Sequence, residues 1–167
     1  MEFPELAREM ELILEKSPFL MMNRSRTGTI LRISKKAADA LALTRQNAEG
    51  RALLEVMDKN TAALTIEKDE YLCAHPDHVQ HEMMKIEPKN GGKLIWMSNN
   101  TFAYYNSAID EMSIFSMGSD VNEIVDGRNR MALELERCNL LEEKSGVGFW
   151  RVDLEAKSLE WSSAVYQ

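Results

Sequence analysis

The chain contains 167 residues, of which 44% are hydrophobic and 28% charged, and its formal net charge at pH 7 is −7. These values predict a globular protein with one complete domain and part of a second. An acidic chain without a basic stripe is not expected to bind nucleic acid directly, and no apolar run approaches the roughly 18 residues that a membrane span needs. Cys73 and Cys138 fall in different predicted elements, and the chain shows no secretory signal, so we expect free thiols and a cytoplasmic location.

The N-terminal segment, residues 1–16, predicts an amphipathic helix, because Leu6, Met10, Ile13 and Leu14 fall on one face at helical spacing. Such a face either packs on its own domain or pairs with a second chain. We expect a cap helix that also contributes to a homodimer.

Short strands and helices alternate through the first half of the chain, each bounded by a turn or a cap residue. Ser34 is a suitable N-cap, and the sequence around Pro76 ends a helix. The predicted segments are strands over 19–23 and 29–33, helices over 35–43, 44–47, 50–57 and 58–74, and a strand over 79–87.

A glycine turn and a helix start give the clearest local pattern. Asn90 and the two glycines after it separate two β-prone runs and predict a hairpin whose second strand covers 94–105. After another strand over 113–118, Asp120 is a good N-cap. Glu123, three residues later, completes a capping-box-like pair at the start of a long helix.

These segments together resemble a PAS domain, a sensor domain of signalling proteins. The resemblance implies an α+β fold, in which a five-stranded antiparallel sheet at residues 17–119 has short helices on one face, an N-terminal cap helix and a C-terminal linker helix over 120–144. It also implies that Asp120 ties this helix to the sheet and that Asp120 and Glu123 transmit the signal. The motifs that support it are Ser34-Lys35-Lys36-Ala37-Ala38, Gly50-Arg51-Ala52-Leu53-Leu54-Glu55-Val56-Met57, and Gly118-Ser119-Asp120-Val121-Asn122-Glu123-Ile124, where Asn122 replaces the commoner Thr or Ser.

The resemblance further implies an interior pocket, formed by one short helix and the inward positions of the last three strands. A one-residue slip would exchange the two faces of the sheet, so this register comes from the family pattern. The opposite positions, Ile95, Trp96, Phe115 and Met117, are also apolar, so both faces need cover. The implied pocket residues are Leu54, Met57, Met84, Ile86, Met97, Asn99, Ile114 and Ser116.

The long helix has Ile124, Met131 and Leu135 at the spacing of a heptad seam, which Arg128 interrupts. Two alternatives stay open for this helix. It forms a two-helix connector in a homodimer, or it folds back on its own sheet.

Residues 145–167 resemble the opening of a second PAS domain. Gly148, Phe149 and Trp150 begin one predicted strand, and Trp161 lies in the next. Two strands alone do not form a stable core, so we expect the chain to be the N-terminal piece of a longer protein.

The three histidines, His75, His78 and His81, have a spacing that would suit a metal site on a helix. Because Pro76 interrupts the segment, we expect loop histidines and no metal. The resemblance brings haem and flavin into consideration as cofactors. The segment after His75 is shorter than in haem-binding members of the family. No Cys lies beside Gly50, where light-sensing flavin members have one. We favour no cofactor and, since no catalytic motif is present, expect a regulatory segment that is not an enzyme.

The resemblance implies a sensory or relay module of a multidomain signal-transduction protein, with a two-component histidine kinase or a diguanylate cyclase as the output domain in the same polypeptide. Two functions remain open. In one, the pocket binds a small-molecule ligand; in the other, the core is filled and the domain only dimerises and relays. The inward Asn99 and Ser116 favour a ligand, because buried polar groups need partners. The eleven methionines favour a filled core.

Overall fold

The computed structural model describes residues 4–89, 91, 93–145, 148, 150–154 and 156–161. The chain forms two compact units, Met1–Asn122 and Glu123–Gln167. Across the described residues, no helix is long and apolar enough to cross a membrane.

The larger unit builds one sheet around a series of short helices. Its elements are helix α1 (Pro4–Lys16), strands β1 (Leu20–Ser25) and β2 (Ile30–Ile33), helices α2 (Lys35–Ala40), α3 (Arg45–Ala48), α4 (Leu53–Val56) and α5 (Lys59–Ala74), and strands β3 (Val79–Ile86), β4 (Ile95–Asn106) and β5 (Glu111–Asp120). The strands lie in the order β2-β1-β5-β4-β3, and all neighbours are antiparallel. The predicted α+β fold with a five-stranded sheet is confirmed.

Side-chain caps begin two of the helices that face the sheet. Ser34 Oγ accepts a hydrogen bond from Ala37 N at 3.3 Å and another from Met21 N at 2.9 Å, so it fixes the start of α2 to β1. Asp58 Oδ1 accepts a hydrogen bond from Thr61 N at 3.0 Å at the start of α5. Hydrogen bonds from Thr61 lower the pKa of Asp58. A cap of this kind contributes about 1 kcal/mol to stability.

The main core lies between one face of the sheet and the helices α2 to α5. Fully burying one Ile or Leu side chain contributes about 1.5–3 kcal/mol, so this layer is the principal source of stability. Its most buried members are Ile30, Ile33, Ala38, Leu53, Val56 and Ala62. A second, smaller cluster contains Leu72, Ala103 and Ile114.

Helix α1 packs on the larger unit through its C-terminal half. Leu14 is 5% exposed, and Arg45 binds Glu11 at 2.9 Å and Glu15 at 3.7 Å. The other apolar side chains of its predicted face remain accessible. Leu6, Met10 and Ile13 are exposed by 57, 46 and 47%.

The sheet register follows the alternation of the strands. In β4 the inward positions run from Ile95 through Met97 and Asn99, and all three are buried. The assignment of Ile95 to the outer face is therefore wrong, because side chains two residues apart point to the same side. The outer face includes Phe102 and Phe115, which border an apolar concavity together with Met10 and Leu14 of α1.

Strand β5 extends further than the predicted 113–118. Asp120 still pairs with Met97 in the ladder, so the linker helix begins at Asn122 rather than at Asp120. Asp120 Oδ1 nevertheless accepts a hydrogen bond from Asn122 N at 2.9 Å. The residue thus closes the strand and binds the first residue of the helix.

The smaller unit contains most of helix α6 (Asn122–Ser145) and the strands β6 (Trp150–Asp153) and β7 (Ser158–Trp161), which pair antiparallel. Trp150 is opposite Trp161. The two predicted strands are present, and their assignment to a second PAS domain stays a prediction. Phe149, residues 162–167, and Asn90 and Gly92 of the predicted hairpin lie outside the described residues; the pairing of β3 with β4 agrees with that hairpin.

Replacing Gly118 with alanine is expected to destabilise the sheet. A Cβ at this position would lie 2.6 Å from Met97 Cγ and 2.7 Å from the backbone oxygen of Ser98. A central strand cannot move away without loss of ladder hydrogen bonds. Overpacking of this kind costs about 1–3 kcal/mol, which urea denaturation would measure as a lower free energy of unfolding.

Gly127→Ala in α6 is the matched control. A Cβ at Gly127 meets no described atom within 4 Å beyond its own helix, and alanine favours a helix by about 1 kcal/mol over glycine. An equal loss of stability in the two variants would contradict the steric explanation.

Candidate functional site

A cavity of about 50 Å³ lies between the inner face of the sheet and the helices α2, α4 and α5. Six of the predicted pocket residues line it: Met57, Met84, Ile86, Met97, Asn99 and Ser116. They come from α4's C-terminal end and from three strands, which the antiparallel register brings together. The cavity is far smaller than the roughly 300–1,000 Å³ of sites for drug-sized ligands.

Two predicted pocket residues lie elsewhere. Leu54 is 42% exposed, and its neighbour Leu53 lines the cavity instead, because the single turn of α4 turns Leu54 outward. Ile114 is fully buried but belongs to the smaller cluster with Leu72. It is two residues from Ser116 on the same face, and a step of about 7 Å along a strand takes it beyond the cavity.

A buried ion pair forms the polar side of the cavity. Arg24 of β1 binds Asp69 of α5 through two parallel hydrogen bonds, Nε to Oδ2 and Nη2 to Oδ1, each 2.5 Å long. The two residues are 3% and 1% exposed. The third guanidinium nitrogen, Nη1, donates to Ser116 Oγ at 2.5 Å. Arg24 therefore joins β1, α5 and β5 at one point.

Sequence reasoning missed this pair. Charged side chains are expected at the surface unless they are paired, and the two residues are 45 positions apart. One sequence feature does point to Arg24: it has the same strand parity as Leu20 and Met22, which also line the cavity. Only the position of α5 across the sheet supplies its partner.

Burial raises the pKa of Asp69 above its ordinary value of 3.8, and the hydrogen bonds and charge of Arg24 oppose that rise. Because the pKa of Asp69 is higher in the folded than in the unfolded state, protonation of this residue stabilises the fold at pH values below 3.8. This contribution is lost as the pH rises through the folded-state pKa. Bidentate pairing with Arg24 is what makes the buried carboxylate tolerable near neutral pH.

A chain of hydrogen bonds leads from the ion pair along the sheet. Ser116 Oγ lies 3.2 Å from Thr101 Oγ1, which accepts a hydrogen bond from Asn99 Nδ2 at 2.8 Å. All three side chains are buried. Asn99 Oδ1 accepts no hydrogen bond from any residue that the structure describes.

The junction between β5 and α6 is fixed to the neighbouring strand. Val121 N donates to Trp96 O at 2.9 Å, and Trp96 N donates to Asn122 Oδ1 at 2.9 Å. Asn122 Nδ2 also lies 3.4 Å from Leu94 O. Asn122 thus binds the backbone at the beginning of β4 through both its side-chain oxygen and its side-chain nitrogen. Glu123, the other predicted transmission residue, is exposed.

The histidines lie apart from the cavity. The ring of His75 stacks on Tyr71 with centroids 4.3 Å apart, and His78 contacts the same tyrosine edge-on at 5.8 Å. His81 Nδ1 is 2.8 Å from Asn100 Oδ1. In the described part of the chain, no group of three or more His, Cys, Asp or Glu side chains has the arrangement to hold a metal ion.

Both cysteines are free thiols. Burial raises the pKa of Cys73 above its ordinary value. A thiol with a raised pKa is less often ionised at neutral pH, and the thiolate is the reactive form. Cys138 is exposed on α6.

No protein-family model and no curated protein matches the chain. Solved structures do match it. The PAS domain of an HTR-like protein from Haloarcula marismortui has a TM-score of 0.58 at 16% identity, covering 70% of this chain and 92% of that one. The PAS domain of BvgS from Bordetella pertussis has a TM-score of 0.55 at 15% identity, covering 80% and 98%. A PAS domain from Colwellia psychrerythraea gives 0.55 at 9%, covering 71% and 98%. The chain has the PAS fold.

Asp69→Asn is expected to destabilise the larger unit strongly, because it leaves the buried guanidinium of Arg24 without its counter-charge. Breaking a buried ion pair costs about 3–5 kcal/mol, measured as the free energy of unfolding in urea. The double variant Arg24→Met/Asp69→Leu removes both charges and is expected to recover much of the loss.

The exposed pair Arg137–Glu134, 3.0 Å apart on α6, is the matched control. Glu134→Gln is expected to leave stability unchanged, since solvent screens such pairs. A small loss for Asp69→Asn, or a double variant less stable than the single one, would contradict the role of the pair.

Proposed function

We propose that this chain is the sensory or relay module of a multidomain signal-transduction protein, in which the state of the cavity passes along β5 to helix α6. The observation that supports this most directly is the double role of β5. Its Ser116 binds Arg24 at the wall of the cavity, and its last residue, Asp120, binds Asn122 at the first position of α6.

The route between these two points is short. Three residues of one strand separate Ser116 from Asp120, and the ladder with β4 holds them in register. A shift of Ser116 relative to Arg24 would therefore displace the strand end rather than be absorbed by a loop. The two anchors at this end, Val121 to Trp96 and Trp96 to Asn122, would then strain or change partners.

Within this proposal, the cavity binds a small ligand. A space of about 50 Å³ holds several waters or one small molecule, since a single water needs roughly 10–15 Å³ on this measure. The buried Asn99 oxygen without a protein donor favours a ligand over a filled core. Methionines at 57, 84 and 97 fill part of the interior, which favours the alternative, a ligand-free relay module.

We further propose that the module acts as a homodimer and controls an output domain, a histidine kinase or a diguanylate cyclase, in the same polypeptide. Apolar side chains at the predicted seam of α6 are accessible: Ile124, Met131 and Leu135 are exposed by 69, 70 and 63%. Exposed apolar side chains at heptad-like spacing favour pairing of two such helices. The accessible Leu6, Met10 and Ile13 of α1 offer a second dimer surface.

The relay is tested by hydrogen exchange in the peptide that contains Asp120 and the first turn of α6. Ser116→Ala removes the acceptor for Arg24 and is expected to speed exchange there several-fold. Met117→Ala, one residue away on the outer face, is the matched control and is expected to leave exchange unchanged.

Asn122→Ala makes this test sharper. If Ser116 acts through the anchor at Trp96, exchange in the Asn122→Ala variant is already fast, and adding Ser116→Ala changes it little. Additive effects of the two substitutions, or equal effects of Ser116→Ala and Met117→Ala, would contradict the proposed route.

Native mass spectrometry tests the dimer. We expect a dimeric wild-type protein and a monomeric Met131→Glu variant, because the substitution buries a charge in the seam. Leu133→Glu alters another exposed apolar residue of α6 outside the seam and is expected to leave the dimer intact. A monomeric wild-type protein, or equal dissociation by both variants, would refute this interface.

A further inference from the structure

Asn99 lines the cavity, and its side chain carries a buried oxygen to which no described residue donates a hydrogen bond. Its nitrogen faces two acceptors, Thr101 Oγ1 at 2.8 Å and Met84 Sδ at 3.8 Å. A thioether sulfur accepts and never donates, so the nitrogen, not the oxygen, belongs on that side. The carbonyl oxygen is the group left without a donor among the described residues, and Asn99, which lines the cavity, is only 3% exposed.

This oxygen has a defined chemical requirement. It is buried, and no described residue donates a hydrogen bond to it. Leaving such an acceptor unpaired is costly, whereas a ligand N–H or O–H would satisfy it. The partner that the oxygen selects is a hydrogen-bond donor.

The charges that line the cavity are balanced. Arg24 is neutralised by Asp69, and Lys68 of α5 forms an ion pair with Glu82 of β3. Among the lining residues these four carry the charges, two of each sign. An anion or a cation would enter a space whose charges are already paired, and a buried unpaired charge is strongly disfavoured. The lining therefore favours a neutral molecule.

Most of the uncharged lining residues are apolar, and the cavity leaves little room. Leu53, Met84 and Met97 are among the side chains that surround the space of about 50 Å³. A ligand with only a few non-hydrogen atoms fits this volume, and its body contacts thioether and aliphatic groups.

We propose that the cavity binds small neutral molecules that donate one hydrogen bond to Asn99 Oδ1 and are otherwise apolar. This proposal rests on the sensory function proposed above and adds the chemical class of the ligand. Short alcohols and small N–H heterocycles belong to that class; carboxylates, phosphates and ammonium compounds do not.

The test compares two probes of equal shape. Pyrrole has an N–H donor, and furan has the same ring without one. In ¹H–¹⁵N spectra of the full chain, we expect pyrrole to shift the resonances of cavity residues with a dissociation constant in the millimolar range and furan to bind roughly tenfold more weakly. Propionate is expected to bind more weakly than pyrrole.

Two variants test whether the preference for pyrrole over furan depends on Asn99. Asn99→Leu has a similar shape without the amide, and we expect it to bind pyrrole and furan equally. Asn100→Leu alters the adjacent asparagine, which is exposed and contacts His81, and it is expected to retain the preference for pyrrole. Should Asn99→Leu fail to fold, the comparison of pyrrole with furan on the wild-type protein still tests whether the cavity prefers a hydrogen-bond donor.

The proposal is overturned if furan binds as tightly as pyrrole, if propionate binds better, or if pyrrole shifts no cavity resonance up to about 100 mM, a concentration that is high even for so small a ligand. None of these outcomes affects the exchange experiment on Ser116, which uses no ligand. If Ser116→Ala speeds exchange but pyrrole does not bind, the proposed relay is retained and the proposed ligand class is refuted. If pyrrole binds as expected but Ser116→Ala does not change exchange, only the relay is refuted.

Discussion

The buried ion pair between Arg24 and Asp69 is the interaction on which the interior of the larger unit depends. It joins the central part of the sheet to α5, the longest of the helices packed on it. Desolvating the two charges is costly, and the bidentate geometry offsets this cost only when both partners are present. The pair thus fixes where α5 lies on the sheet more strictly than apolar contacts would, because apolar contacts tolerate small slides and a two-bond fork does not.

The cavity follows from this pair. Arg24 directs one nitrogen to Ser116, and the hydroxyl of Ser116 lies beside Thr101 and then Asn99. Polar groups that would be expensive alone are satisfied in sequence along the chain of hydrogen bonds. The Asn99 oxygen at its far end is the exception, because no described residue donates a hydrogen bond to it.

The end of β5 is held to β4 and to Asn122, the first residue of the linker helix. Gly118 lets β5 approach Met97 and Ser98 more closely than any side chain would allow. Asp120 remains in the ladder, and Asn122 binds the backbone of β4 from the first turn of α6. The strand end is therefore held on both sides.

Local properties of the sequence determined much of this architecture. Alternation of apolar residues defined the strands, Ser34 began its helix, and the motif around Gly118 identified the fold, because strand periodicity and capping depend on neighbours in the chain. Six of the eight pocket positions follow from the strand register and a single helix. Leu54 did not, because one helical turn is too short to define its buried side.

Only the tertiary structure decided the polar interior and the strand end. From the sequence, Arg24 and Asp69 are expected at the surface, and only the packing of α5 on the sheet brings them together. Asn122 is a mild departure from the motif in sequence, and only the structure shows that it binds Trp96. Pairing between residues far apart in the chain depends on strand order and helix placement, which no local pattern specifies. For this protein, the local pattern of residues determined the fold class and most of the inward positions, while packing determined which polar groups meet and left the Asn99 oxygen without a donor among the described residues.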